Sequence, residues 1–493
     1  MLFKILSNTF FSIGNNYFAL IRSAITLIVI SSIILGGCSP EEPKGEERLP
    51  NFIIIFTDDL GYGDLSSFGN PIIKTPNLDR MAFEGQKWTQ FYVADPVCTP
   101  SRAALMTGRY PIRNGMTSAE RAVLFPDSNG GLPASEVTLA EVLKQKDYAT
   151  AAVGKWHLGH LPQFLPRAQG FDYYYGIPYS NDMDMVEGSP NYSRLAEDPN
   201  FFPDLKDYNV PLIENETIIE RPTDQNTITR RYTEKAVEFI TANEDRPFFL
   251  YLAHSMPHIP LFANEKFVGT SKRALYGDVI EEIDWSVGQV LKALEDLNLT
   301  DNTVVMFSSD NGPWLAFRTH GGSAGPLRAG KGTTFEGGQR VPTIFWGPGY
   351  VKKGLINEMG STLDVIKTFA SIAGAQAPSD RKMDGFDLSP ILRNPSATSP
   401  RSEFFYWAFG ELHAARLGPW KLHIKQRQPV HYGNEIDMEH PELYNVEEDI
   451  SELHDRFEER PDMVATIQQL IEVHQNDMQD ALPDNLSGRI KIE

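Results

Sequence analysis

The stretch NFIIIFTDD, residues 51–59, decides the fold. Its apolar run shows no polar alternation, which is typical of a strand buried on both faces of a parallel sheet. Two carboxylates, Asp58 and Asp59, follow directly where the run ends. Because ligand sites of open parallel sheets lie beyond the carboxyl ends of the strands, the stretch predicts an α/β sheet and the edge that carries its site.

Three further apolar runs are each followed by charged or metal-ligating side chains. They are YATAAVG before Lys155 and His157, PFFLYLA before His254 and His258, and NTVVMFSS before Asp310 and Asn311. Helix-like stretches separate the runs: VTLAEVLKQK, TRRYTEKAVEFITAN and YGDVIEEIDWSVGQVLKALEDL. This alternation predicts a sheet with helices on both faces. One acidic pair after a strand could be a simple turn, but four strand ends with such residues indicate a site.

The length of 493 residues allows one large α/β domain and a smaller one. The stretch RNPSATSPRS, near residues 395–402, resembles a linker, so we predict a catalytic domain over 49–398 and a C-terminal subdomain over 399–493. The formal charge of −20 gives no support to nucleic-acid binding. An anionic substrate would need basic residues gathered locally against this background.

The N-terminus differs from the rest of the chain. The apolar run SAITLIVISSIILGG ends at Cys38 and is too short for a comfortable membrane span. LGGC resembles a bacterial lipobox, which predicts a lipoprotein signal peptide over 1–37, lipidation of Cys38 and a flexible tether over 38–48. The protein would then be anchored to a membrane of the cell envelope by its lipid alone. The alternative is an ordinary signal peptide or anchor in which the cysteine is incidental.

The polar residues at the strand ends suggest a hard cation. Asp58, Asp59, Asp310 and Asn311 offer oxygen ligands, which suit Ca²⁺ or Mg²⁺ rather than zinc. Three carboxylates that converged without a cation would repel one another. Taken alone, the DNG sequence at 310–312 would indicate only a turn.

The second of the two cysteines, Cys98, lies ahead of a predicted short helix, SRAALMTG. In an exported protein whose other cysteine is lipidated, a lone thiol is either buried and inert or used chemically. Arg102 is four residues further on, so a helix would place both on one side. Lys155, His157, His258 and Lys331 would add to a cation-rich pocket around the metal. Lys155 and His157 are two apart, so in an extended segment they would share a face.

The chain resembles the formylglycine-dependent sulfatases, in their arylsulfatase A-like branch. CTPSRAALMTGRYP carries their C-x-P-S-R signature, and further blocks follow the family's order over residues 49–475. These blocks are GYGDLSSFGN, GKWHLG, GIPYSND, HSMPHIP, SSDNG, GPLRAGKGTTFEGGQRVP and ELYNVEEDISELHD. The resemblance implies an alkaline phosphatase-like fold, with a large mixed, mostly parallel sheet flanked by helices and a small C-terminal antiparallel sheet with a helix.

The resemblance also implies a chemistry for Cys98. In this family a dedicated maturation enzyme oxidises the motif cysteine to formylglycine, whose hydrate attacks sulfur in line and expels the alcohol. The resulting sulfate ester collapses when the second hydroxyl loses its proton, so the aldehyde re-forms and sulfate leaves. The substrate would be a sulfated carbohydrate or aryl sulfate, with sulfated polysaccharides or their oligosaccharides favoured for a surface-tethered enzyme.

The resemblance assigns further roles residue by residue. His258 would be the acid for the leaving oxygen, with Lys331 beside it, and His157 the base for the second hydroxyl. Arg102 and Lys155 would hold the diol, and Ser180 would contact sulfate. The metal would be Ca²⁺, bound by Asp58, Asp59, Cys98, Asp310 and Asn311.

Several residues near these motifs allow a structural reading or a substrate contact: His254, His320, Arg328, Trp314 and His413. Arg340 is predicted to be structural, paired with Glu336 or a backbone carbonyl. Two rival functions remain at this point. One is a phosphate or phosphonate ester hydrolase of the same superfamily, and the other is a surface lipoprotein that binds sulfated glycans without catalysis.

Overall fold

The computed structural model describes residues 48–189, 192–197, 201–428, 433–478 and 481–490. Leu49–Glu493 form one compact unit. The predicted signal peptide, Cys38 and nearly all of the predicted tether lie outside the described residues. Within the described ranges, no helix combines the length and the apolar character needed to cross a membrane.

A large mixed sheet forms the centre of the molecule. Its strands, in the order β10-β2-β9-β8-β1-β7-β3-β4-β5-β6, are β1 (Asn51–Thr57), β2 (Gln86–Tyr92), β3 (Ala149–Gly154), β4 (Tyr173–Gly176), β5 (Leu212–Glu214), β6 (Thr217–Glu220), β7 (Phe248–Ala253), β8 (Thr303–Ser309), β9 (Thr343–Trp346) and β10 (Gly354–Ser361). The central strands are parallel, and the antiparallel pairs involve β9 and the β4–β6 end.

The four strands predicted from their apolar runs are neighbours in this sheet. They lie in the order β8-β1-β7-β3, all parallel and all buried. Alternate residues of β1 enter two apolar cores: Ile53 and Ile55 pack on one face, and Phe52 and Ile54 on the other. This two-sided burial explains why the strand sequence is continuously apolar. The parallel order of the four strands brings all four polar strand ends to one edge.

Helices cover both faces of the sheet. They are α1 (Pro76–Glu84), α2 (Cys98–Thr107), α3 (Pro111–Asn114), α4 (Leu139–Lys144), α5 (Tyr192–Glu197), α6 (Ile228–Ala242), α7 (Ala274–Asp296), α8 (Glu336–Gln339), α9 (Val365–Ala373), α10 (Ser389–Arg393) and α11 (Pro461–Asn476). The three helix-like stretches between strands correspond to α4, α6 and α7, and the helix predicted after Cys98 is α2.

A small antiparallel sheet follows the predicted linker. It consists of β11 (Glu403–Ala408), β12 (Glu411–Leu417), β13 (Trp420–His423) and β16 (Glu442–Asn445), while β14 (Gln426–Arg427) and β15 (Glu435–Ile436) form a separate pair. One apolar cluster joins this sheet, α11 and the large domain, through residues such as Phe404, Ile467 and Tyr92. The predicted fold, a large mixed sheet with helices and a small C-terminal antiparallel sheet with a helix, is confirmed.

Candidate active site

The carboxyl edge of β8-β1-β7-β3 brings the predicted site residues together. The side chains at this edge are all buried: Asp58, Asp59, Cys98, Arg102, Lys155, His157, Ser180, His258, Asp310, Asn311 and Lys331. One ligand atom from each of Asp58, Asp59, Cys98 and His258 lies within 4.8 Å of the others. Parallel strand ends separated by about 250 residues in sequence therefore build one pocket.

Positive side chains balance the acidic pair after β1. Lys155 Nζ donates to Asp58 Oδ2 at 2.5 Å, and Lys331 Nζ lies 2.7 Å from Asp59 Oδ1. Burial favours the neutral form of Asp58, but the charges of Lys155 and Arg102 hold its pKa below the ordinary value. Asp59 behaves differently: burial raises its pKa to about 7, against the opposing charge of Lys331.

Asp310 and Asn311 complete the oxygen-rich side of the pocket. Asp310 Oδ1 accepts a hydrogen bond from the backbone N–H of Asp59 at 3.1 Å, and its Oδ2 lies 2.8 Å from Arg102 Nη2. Asn311 Nδ2 donates to Asp59 Oδ1 at 2.7 Å. The buried Asn311 Oδ1 has no hydrogen-bond partner among the described residues. An acceptor without a donor, beside carboxylates of like charge, fits an oxygen-liganded divalent cation at this point.

Cys98 begins α2 and faces the same pocket. Its Sγ lies 3.5 Å from Asp58 Oδ1, and burial raises the pKa of the thiol well above its ordinary value. The thiol is therefore neutral and a poor nucleophile as it stands. Arg102, one turn further along α2, holds Asp310, which confirms that both residues lie on one side of the helix.

His157, Lys155 and Ser180 meet at one point. Lys155 Nζ donates to Ser180 Oγ at 2.7 Å, and His157 Nδ1 lies 3.5 Å from the same oxygen. The segment is not extended, because His157 has a left-handed backbone with φ 59°, so the shared-face argument for Lys155 and His157 does not apply. A turn after β3, held by a hydrogen bond from the His157 N–H to the Pro178 carbonyl, brings the two side chains together instead.

The structure also fixes which nitrogen of His157 accepts a proton. His157 Nε2 lies 2.8 Å from the carbonyl oxygen of Leu124, which can only accept, so Nε2 carries the hydrogen. Burial and the charge of Lys155 lower the pKa of His157 well below its ordinary value. The ring is thus neutral, with its acceptor lone pair on Nδ1 directed towards Ser180 Oγ, the state required of a base.

His258 is oriented in the opposite sense. Its Nδ1 lies 2.5 Å from the carbonyl oxygen of Ile259, so Nε2 points into the pocket, 3.7 Å from Asp59 Oδ2. Burial and the charge of Lys331 lower the pKa of His258. Trp314 packs against both groups, with its ring 4.1 Å from Lys331 Nζ and 5.3 Å from the His258 ring. Trp314 therefore supports the two residues on this side of the pocket.

Gly154, the last residue of β3, allows Lys155 to enter the pocket. Its φ of 116° is in the region that favours glycine, and a Cβ added there would lie 1.8 Å from the carbonyl oxygen of Ala253. The same carbonyl accepts from the backbone N–H of Lys155 at 2.7 Å. The ends of β3 and β7 thus approach so closely that a side chain is excluded.

Most of the residues that could have been either structural or in contact with substrate have contacts that indicate a structural role. His254 Nε2 lies 3.2 Å from Ser286 Oγ, and burial lowers its pKa to about 3. Arg328 Nη1 donates to the Glu452 carbonyl at 2.7 Å, which ties it to the C-terminal part of the chain.

The prediction for Arg340 is confirmed, since it pairs with Glu336 at 3.3 Å and donates to the Thr89 carbonyl at 2.6 Å. His413 is buried in β12, and burial lowers its pKa to about 3. His320 is buried in the loop between Trp314 and Lys331.

Sequence patterns did not indicate two residues that support the site. Tyr251 OH accepts from Arg102 Nη1 at 3.2 Å, from within the apolar run of β7. Thr99 Oγ1 donates to the His157 carbonyl at 3.0 Å and accepts from the Leu124 N–H at 3.2 Å. It therefore links the backbone of His157 to that of Leu124, whose carbonyl contacts the His157 ring. A tyrosine inside a buried strand is the one signal that could have been noticed, because its hydroxyl needs a partner.

Comparison with known proteins agrees with this geometry. A family model described as Sulfatase matches residues 50–375, and one described as the C-terminal region of aryl-sulfatase matches 399–490. Arylsulfatase A of Bos taurus is 40% identical over 449 residues, covering 85% of this chain and 87% of the relative. N-acetylgalactosamine-6-sulfatase of Canis lupus familiaris is 42% identical over 407 residues, covering 81% and 75%.

Solved structures of sulfatases share the same alkaline phosphatase-like fold. The structure of Ps i-CgsB in complex with k-i-k-neocarrahexaose superposes with a TM-score of 0.74 at 32% identity, covering 90% of this chain and 95% of that one. The two family models together match most of the chain, residues 50–375 and 399–490. The chain belongs to the sulfatase family and is a sulfuric ester hydrolase of the arylsulfatase A-like branch.

Proposed function

We propose that the protein removes sulfate from sulfated carbohydrates, with a formylglycine formed from Cys98 and a Ca²⁺ ion at the carboxyl edge of the sheet. The observation that carries this proposal is the convergence of Cys98, Asp58 and Asp59 within 4.8 Å. The rival functions are not favoured, because the family comparisons point to sulfate ester hydrolysis and the nucleophile position is intact.

The ligand set supports the metal assignment. Asp58, Asp59, Asp310, Asn311 and residue 98 would hold the ion, and oxygen ligands favour Ca²⁺ over zinc. When bound, the ion would supply positive charge that polarises oxygen at the reacting centre. A formylglycine at residue 98 would supply a hydrate with two hydroxyls: one to attack sulfur and one to release sulfate.

The tautomer of His157 supports its role as the base. Its Nδ1 carries the acceptor lone pair on the side of Ser180 and Lys155, where it can take the proton of the second hydroxyl on residue 98. The neighbouring Lys155 ammonium holds Ser180 Oγ and stabilises the negative charge of sulfate. The hydrogen bond from Nε2 to the Leu124 carbonyl keeps the ring in this tautomer.

His258 is suited to the leaving group. Its Nε2 points into the pocket because Nδ1 is occupied by the Ile259 carbonyl. An anionic sulfate ester brought beside the ring would raise the pKa of His258 and favour the protonated form. That form can donate a proton to the departing oxygen, and Lys331 Nζ lies on the same side, against Asp59.

Relatives support a carbohydrate as the leaving group. N-acetylgalactosamine-6-sulfatase is named for a sulfated sugar, and Ps i-CgsB was solved with a neocarrahexaose. We therefore propose sulfated polysaccharides or their oligosaccharides as substrates, with small aryl sulfates as surrogates. The lipobox-like LGGC at 35–38 supports a lipid anchor on Cys38 and a location in the cell envelope. Conversion of Cys98 to formylglycine would require a formylglycine-generating enzyme.

Purified protein from a host with that enzyme is expected to release inorganic sulfate from defined sulfated oligosaccharides. A panel of algal and glycosaminoglycan oligosaccharides, assayed for free sulfate, would identify the sugar. Matched sulfate and phosphate monoesters of one phenol provide the control, and kcat/KM should favour the sulfate. Faster hydrolysis of the phosphate would instead support the phosphatase alternative.

The two histidines are expected to fail in different ways. His258→Ala should lower kcat/KM by about 10²–10⁴-fold for a sugar sulfate, the range of general acid catalysis, and by less for an activated phenol that leaves without help. His157→Ala should still release phenol once per enzyme and then stop, because sulfate cannot depart. Pre-steady-state release of phenol measures the burst.

Mass analysis of the peptide that contains residue 98 provides the check. Sulfate should be retained on that peptide in His157→Ala and not in His258→Ala. His254→Ala is the matched control, since His254 is buried at a neighbouring strand end but bonds Ser286. A burst in His258→Ala would mean that the two roles are reversed.

A further inference from the structure

The segment 326–340 carries Lys331 and is held from outside by the C-terminal part of the chain. Arg328 Nη1 donates to the carbonyl oxygen of Glu452 at 2.7 Å. The backbone N–H of Glu336 donates to Glu452 Oε2 at 2.7 Å. One residue of the C-terminal subdomain therefore fixes the segment on both sides of Lys331.

A buried cluster of charges forms the centre of this contact. Lys421 Nζ, on β13, lies 3.0 Å from Glu336 Oε1 and 2.9 Å from Glu452 Oε1, and all three side chains are fully buried. His423 Nε2 lies 2.8 Å from Glu452 Oε1, and Tyr406 OH donates to Glu336 Oε1 at 3.0 Å. Burial disfavours the charge on Glu336, but Lys421 keeps its pKa below the ordinary value. One ammonium thus links two carboxylates that would otherwise repel each other.

The clamped segment reaches the active site through its backbone. The N–H of Gly337 donates to the Arg328 carbonyl at 2.8 Å, which closes the loop around Lys331. The N–H of Gly312 donates to the Gly338 carbonyl at 2.9 Å, and Gly312 directly follows the asparagine of the proposed metal site. A shift of Glu336 would therefore move both the ammonium of Lys331 and the turn at Asn311 and Gly312.

We propose that Lys421 of the small sheet and Glu452 of the loop after β16 are positioning residues for the reaction, because they hold the segment that presents Lys331 to Asp59. The inference rests on the proposed function in giving Lys331 a role beside the leaving oxygen. It assigns to the C-terminal subdomain a part in catalysis that does not require it to touch substrate. Loss of Lys421 would remove the ammonium that joins the two carboxylates, leave Glu336 with Arg340 as its ion-pair partner, and loosen the segment.

A double-mutant cycle between Lys421→Met and Lys331→Ala tests this coupling. Lys421→Met alone should lower kcat for a poor leaving group by roughly 10–100-fold, the range for outer-shell partners, with less change in KM. In the Lys331→Ala background the same change should have almost no further effect. Lys421→Arg, which keeps the charge, should restore part of the activity.

Arg401→Met is the matched control. Arg401 pairs with Asp364 in another buried contact near the small sheet, which the segment 326–340 does not share. Arg401→Met should lower thermal stability and leave kcat nearly unchanged. Its effect should be the same with and without Lys331→Ala. Should Lys421→Met fail to fold, Glu452→Gln takes its place in the cycle.

The outcomes separate the two proposals. If Lys331→Ala alone leaves turnover unchanged for every leaving group, the proposed role of Lys331 is wrong. If Lys331→Ala impairs turnover but Lys421→Met lowers kcat equally in both backgrounds, the positioning inference is overturned while the proposed function stands. Equal loss in Arg401→Met would show a general effect of stability and would also overturn the inference.

Discussion

Replacement of Cys98 by alanine is expected to lower kcat/KM by at least about 10⁴-fold, as loss of a nucleophile does in other enzymes. The side chain begins α2 and its Sγ lies near Asp58, so its removal deletes the attacking group. The fold should survive, because α2 keeps Arg102 on Asp310 and its apolar contacts. Steady-state kinetics and thermal unfolding of the two proteins measure both effects.

Modification of the wild-type residue is the companion measurement. In a host with the maturation enzyme, the peptide containing residue 98 should be lighter by the difference between a CH₂SH and a CHO group. No step of the thiol oxidation ladder gives this loss. The converted fraction should track activity between preparations. Fully active protein with wholly unmodified Cys98 would falsify the proposed chemistry.

Asp310→Ala is expected to remove bound metal and activity together. The loss should exceed the roughly 10–100-fold that an outer-shell partner contributes, since a proposed ligand is deleted. Asp310 also pairs with the buried Arg102, whose charge would then face Asp58 alone at 3.6 Å. Elemental analysis of the purified variant and of wild type, with kcat for an aryl sulfate, gives the result.

Asp284→Ala is the control for loss of a buried carboxylate. Asp284 lies on α7 and accepts hydrogen bonds from the backbone N–H groups of Asn77 and Leu78 at the start of α1. This variant should be less stable yet keep its metal and its turnover. The metal assignment is wrong if active wild-type protein contains two zinc ions and neither calcium nor magnesium.

The central strands of the sheet could be predicted because a strand buried on both faces has a continuously apolar sequence. The four parallel strands β8, β1, β7 and β3 are largely apolar, and each is followed by polar residues such as Asp58 or Lys155. The rule that parallel strands open at one edge then places those residues together. The family motifs added the assignment of Cys98, which composition and spacing alone left undecided.

The segment after Lys155 shows where local reasoning failed. An extended segment would have put Lys155 and His157 on one face, but His157 adopts φ 59° because its N–H pairs with the Pro178 carbonyl. The backbone hydrogen bonds of a neighbouring loop decide such a turn, and no local pattern records them. The family resemblance assigned Ser180 a contact with sulfate, but it did not predict the contacts of Ser180 with Lys155 and His157.

By itself the sequence determined the sheet, the edge that holds the site and the residues that meet there. The tertiary structure alone decided how those residues are oriented. The Leu124 carbonyl decides which nitrogen of His157 accepts a proton, and Lys421 of the small sheet holds the segment that carries Lys331. These contacts join residues far apart in the chain. Their partners are chosen by chain topology and close packing, which local propensity does not encode.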